Sequence, residues 1–150
     1  MIKNLDDSSA IAFTDGSFSN DTYTGGYGVI LITKDSEKQF IKNFNKDKRS
    51  NLQLLKLHSV GAECEAIKRA LKEAVNLNKK HIEIFYDYEG IEKWITHEWD
   101  ISNPYIETYY DYIISFSNKI SINFHKIKSH AGIYYNDLCD KLAKSALHKY

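Results

Sequence analysis

Apolar and polar positions along the chain follow two periods. Residues 10–14 (Ala10-Ile11-Ala12-Phe13-Thr14) read as a buried strand, and residues 82–86 (Ile82-Glu83-Ile84-Phe85-Tyr86) read as another. Residues 27–32 and 39–44 are two more strand candidates. The turn formers in residues 17–26 should reverse the chain between the first two strands. Ile120, Ile122 and Phe124 alternate with Ser121, Asn123 and His125, the pattern of a strand with one wet face. Helical spacing governs residues 62–76, where Ala66, Ile67, Ala70, Leu71 and Ala74 form one stripe. It also governs residues 134–148, with Leu138, Cys139, Leu142, Ala143 and Ala146. Two further helices are predicted at 89–99 and from Pro104 to about residue 118, and residues 45–60 form a long link. The order is three strands, helix, strand, two helices, strand, helix. It predicts an α/β fold with a mixed five-stranded sheet, three antiparallel strands then two parallel additions, and helices packed on both faces.

Four acids sit within or at the ends of these apolar segments. Asp15 follows the first strand on the side of Ile11 and Phe13, and Gly16 then ends that strand. Asp87 follows the fourth strand, so both aspartates fall at carboxyl ends of strands, where open α/β sheets bind ligands. Glu63 lies in the middle of its helix's apolar stripe at about 100° per residue. Glu65 faces the opposite way, beside Lys68 and Arg69, and is expected in solvent. Asp140 lies at the edge of the last helix's stripe with Asn136 one turn earlier, while Asp137, Lys141 and Lys144 face water. Any one of these acids alone reads as a helix cap, a turn residue or an ion-pair partner. Four together repel and lose solvation, so a cation must sit among them, and an all-oxygen ligand set favours Mg²⁺ or Mn²⁺ over zinc.

Bulk properties narrow the picture further. A length of 150 residues predicts a single domain over 1–150 with a real core. Net charge is zero, which supplies no global pull toward nucleic acid. Basic residues concentrate in 38–56 and 119–130, whereas 83–111 is acidic with Lys93 its one lysine or arginine. No basic-then-apolar leader or membrane-length apolar run occurs, so a cytoplasmic protein without membrane attachment is expected. Cys64 and Cys139 lie on or beside buried stripes without C-x-x-C spacing and read as reduced packing thiols. Gly25-Gly26-Tyr27-Gly28 lacks the spacing of a phosphate loop and reads as a hairpin flank.

One ordered set of residues is recognisable. Phe13-Thr14-Asp15-Gly16-Ser17, Gly25-Gly26-Tyr27-Gly28, Ala62-Glu63, Tyr86-Asp87, Lys128-Ser129-His130-Ala131-Gly132, Asn136 and Cys139-Asp140 together resemble type 1 ribonuclease H over nearly the whole chain. The resemblance implies the ribonuclease H-like fold and hydrolysis of the RNA strand of an RNA/DNA hybrid, leaving 5′-phosphate and 3′-hydroxyl ends. Asp15, Glu63, Asp87 and Asp140 match the family's catalytic, metal-binding acids. It further implies two divalent ions, Mg²⁺ with Mn²⁺ as the alternative, one activating water and the other stabilising the leaving oxygen. His130 matches a loop histidine that assists proton transfer or product departure. Gly16 and Ser17, through their backbone, and Asn136 match substrate-contacting positions. Only the 2′-hydroxyl marks the RNA strand, so such contacts must read it.

Departures from the family pattern are local. His58-Ser59 stands where Asn or Arg-Asn is common, which leaves Ser59 as the candidate minor-groove contact. The region of the family's basic protrusion is acidic here, and Trp94 and Trp99 within it read as core anchors. Tyr86-Asp87-Tyr88-Glu89-Gly90 and Glu92-Lys93-Trp94 resemble bacterial forms that often carry a separate hybrid-binding domain. No such domain is expected in 150 residues, so weak hybrid affinity with steep salt dependence is expected of a monomer. Two alternatives stand beside this reading: a catalytically weak or inactive nucleic-acid-binding module, and another metal-dependent nuclease of the same superfamily.

Overall fold

The computed structural model describes residues 5–128 and 133–148. Strands β1 (Ser9–Ser19), β2 (Thr24–Ile32) and β3 (Glu37–Phe44) form an antiparallel meander. β4 (His81–Tyr86) adds parallel to β1, and β5 (Ser121–Lys126) adds parallel to β4, giving the order β3-β2-β1-β4-β5. Helices α1 (Leu52–Leu55), α2 (Ser59–Asn76), α3 (Gly90–Lys93), α4 (Pro104–Ser115) and α5 (Tyr134–Ser145) complete the fold, and α5 continues into a 3₁₀ turn, Ala146–His148. Among the described residues no helix is long and apolar enough to cross a membrane.

The alternation along β1 builds two cores. Ala10 and Ala12 pack with Ala66, Ile67, Ala70, Leu71 and Ala74 of α2 in the larger one. Phe13 packs with Ile30, Ile32 and Cys139 of α5 in the smaller one on the opposite face. Both cysteines are free and buried, as packing thiols. Asn103 caps α4 by accepting from the Tyr105 and Ile106 amides, with Pro104 at the first helical position.

Several expectations required correction. β1 does not end at Gly16 but runs to Ser19, pairing Gly16 with Tyr27 and Ser19 with Thr24, so the reversal is confined to the four residues between the strands. Gly16 answers to a different constraint. A Cβ there would lie 2.5 Å from the Glu63 amide nitrogen and 2.8 Å from the Ser59 carbonyl oxygen, so this glycine lets α2 pass close over the strand. The helix expected at 89–99 is the single turn α3, because Trp94 and Trp99 fold back against Tyr88, with ring centroids 5.9 and 6.2 Å from it. His97, at φ 65°, lies in the reversing segment. The link at 45–60 contains a 3₁₀ turn, Arg49–Asn51, and the short α1. Glu65 is not in solvent: it is half-buried, accepts the Tyr105 hydroxyl and pairs with Lys68 at 3.0 Å. Arg69 pairs with Glu73 instead.

Candidate metal centre

The parallel pairing of β1 with β4 stops at Phe13 and Phe85, where the Thr14 hydroxyl donates to the Phe85 carbonyl at 3.2 Å. Past this point the two strands part. Asp15 lies two residues beyond the last pair on β1, and Asp87 is the first residue after β4. α2 crosses at Gly16 and delivers Glu63 to the same fork. One carboxylate oxygen from each of Asp15, Glu63 and Asp87 lies within 4.8 Å of the others. Asp15 and Glu63 are 6% and 7% exposed, too buried for water to screen such a grouping.

The electrostatic consequence is large. Burial, then the neighbouring Asp87 and Asp140, push the Asp15 carboxyl up to about 8, against a partial offset from the Gly16 amide that donates to it at 2.9 Å. Burial, then the bond to Asp87, hold Glu63 well above the usual carboxylate range. Asp15 in this state keeps its proton near neutrality until a cation replaces it. An all-oxygen donor set from three elements fits a hard divalent cation.

Asp140 adjoins this group from α5 but stands outside the 4.8 Å set. It hydrogen-bonds Asp15, and its Oδ2 pairs with Lys144 at 2.9 Å. Lys144, expected to face water, is 64% exposed at its side chain yet engaged with this acid. The i,i+4 spacing of Asp140 and Lys144 was the sequence signal for the pair.

The remaining candidates occupy varied positions. Ser17 is buried, and its hydroxyl donates to the Ala143 carbonyl at 2.6 Å, tying β1 to α5. Ser59 opens α2 with its carbonyl against Gly16. Asn136 is 6% exposed, one turn before Asp140. His130 lies outside the described residues. His58, which with Ser59 departs from the family pattern, precedes α2 at φ 57° and stacks on Phe18 with centroids 4.6 Å apart, a contact that no local spacing marks.

Comparison with known proteins places this geometry. The RNase H family model matches residues 7–148. A Ribonuclease H from Caldanaerobacter subterraneus subsp. tengcongensis is 28% identical over 92% of this chain and 90% of that protein. One from Haemophilus influenzae is 31% identical over 88% and 85%. The crystal structure of LC11-RNase H1 in complex with RNA/DNA hybrid superimposes with a TM-score of 0.74 at 18% identity, over 93% of this chain and 97% of that one. With the family match spanning nearly the whole sequence and the acids gathered at the fork of β1 and β4, the chain belongs to the ribonuclease H family of hydrolase nucleases.

Proposed function

We propose that this chain is an endoribonuclease that hydrolyses the RNA strand of RNA/DNA hybrids with two divalent ions, Mg²⁺ in the first place, giving 5′-phosphate and 3′-hydroxyl ends. The observation that carries this reading is the convergence of Asp15, Glu63 and Asp87, from β1, α2 and the end of β4, within 4.8 Å. These three would hold one ion, and Asp140 with Asp15 would hold the other. When bound, the ions supply an activated water and charge stabilisation for the leaving oxygen.

Hydrolysis joins a water oxygen to phosphorus and breaks the bond to the 3′ oxygen, which leaves as a hydroxyl after taking a proton. His130 is assigned to that proton transfer or to product departure. A covalent route finds no support in the thiols, because burial pushes both Cys64 and Cys139 well above the usual range. The Gly16 and Ser17 backbone, Ser59 and Asn136 are assigned to the substrate strand. Gly16 and Ser17 lie beyond the last β1–β4 pair, where the β4 side of the strand is no longer occupied by β4. Asn136 is buried, so it meets only a group that enters the cleft.

The test is a labelled hybrid incubated with Mg²⁺, with Mn²⁺ and with EDTA, beside Asp15→Asn. Metal-dependent cutting of the RNA strand alone, lost in the variant, is the expected result. An uncut hybrid under every condition would instead identify a binding module.

A further inference from the structure

A second concentration of charge lies on the outer face of α2. At about 100° per residue, Lys68 and Lys72 stand about 140° and 180° around the helix from Glu63, so this face looks away from the carboxylates. Lys68, Arg69 and Lys72 line a cavity of about 160 Å³ there, together with Lys42 of β3, Tyr27, Tyr112 and Glu65. Four cations and one carboxylate line it, and with Glu73 paired to Arg69 beside it the cations still outnumber the acids four to two, in a chain whose net charge is zero.

The cup is built rather than incidental. Lys68 is held by Glu65 at 3.0 Å and lies over the Tyr112 ring at 5.1 Å. Arg69 is held on three sides: its Nε donates to Glu73 at 2.7 Å, its Nη1 donates to the Tyr27 hydroxyl at 3.0 Å, and its guanidinium lies 4.5 Å from the Phe40 centroid. Each keeps spare N–H donors after these contacts, and fixing the side chains beforehand lowers the entropy cost of binding. Among the described residues no ion pair engages Lys42 or Lys72. The charge excess suits a multivalent oxyanion better than a single carboxylate, and the volume suits one tetrahedral group with a few waters.

We infer that the cup formed by Lys42, Lys68, Arg69 and Lys72 is a binding site for a phosphate group, separate from the carboxylate centre and independent of the cleavage reading. Its source is free phosphate or the terminal phosphate of a nucleotide. Isotope-labelled chain, titrated by NMR with inorganic phosphate and with dAMP at constant ionic strength and without divalent ions, tests this. Saturable shifts at Tyr27, Lys68, Arg69 and Tyr112 are expected. The double variant Lys42→Gln/Lys72→Gln, in which both changed side chains are exposed, should weaken binding at least fivefold. Equal affinities would identify free phosphate as the ligand, and threefold or tighter binding of dAMP a nucleotide; either upholds the site. Shifts that do not saturate, that persist unweakened in the variant, or that fall only around Asp15 and Glu63 would overturn it.

Discussion

Glu63 and Glu65 stand two residues apart on α2 and meet opposite surroundings. Glu63 is 7% exposed among other acids, with burial and Asp87 driving its carboxyl toward the protonated form. Glu65 is also withdrawn from water, at 19% side-chain exposure, but the Tyr105 hydroxyl and the Lys68 ammonium satisfy it. The contrast separates a structural carboxylate from one awaiting a ligand. Burial alone does not distinguish them; the sign of the neighbours does.

The largest expected effect breaks the comparison on the functional side. Glu63→Gln should lower hybrid cleavage by more than the ~100-fold typical of residues that only orient a metal's ligands, while leaving the fold intact. Glu65→Gln should leave the cleavage rate unchanged and cost about 1 kcal/mol in denaturant unfolding, through the lost ion pair and the weaker bond to Tyr105. Equal rate losses in the two variants would erase the distinction.

A second test uses pH. Asp15 moves from an ordinary 3.8 to about 8 on folding, so the folded state binds its proton more tightly than the unfolded state. That contribution is fully present below about pH 4 and is lost as pH rises through about 8. The metal-free chain should therefore lose stability, on the order of a few kcal/mol, between these limits. Asp15→Asn should flatten this decline and Mg²⁺ should oppose it, both read from thermal midpoints across pH. A midpoint rising from pH 5 to 8 without metal would contradict the assignment.

The smallest effect concerns Lys144. Its pair with Asp140 is exposed enough for an interaction of under about 1 kcal/mol, so Lys144→Met should tighten divalent-ion binding only about two- to fivefold by freeing Asp140. Weaker ion binding in the variant would mean that Lys144 orients Asp140 rather than competing for it.

The sequence disclosed the inward acids more clearly than their neighbours. Asp15, Glu63 and Asp87 were legible because each ends or interrupts a periodic apolar pattern, and the three antiparallel strands with two parallel additions followed from the alternation of elements. The satisfied state of Glu65 was not, because Tyr105 lies 40 residues away and no local period records that contact. Gly16 looked like a strand terminator because glycine marks turns in sequence; only the passing backbone of α2 reveals it as a close-approach site. The folding back of Trp94 and Trp99 likewise depends on ring contacts with Tyr88 that helical spacing does not encode.

Calorimetric titration of Mg²⁺ at pH 7 and at pH 9, in buffers of different protonation enthalpy, tests the central claim most directly. If Asp15 holds its proton until a cation displaces it, binding at pH 7 should release most of a proton, and the release should shrink toward pH 9. Binding with no proton release at either pH, or no binding at all, would contradict a metal centre built from these acids.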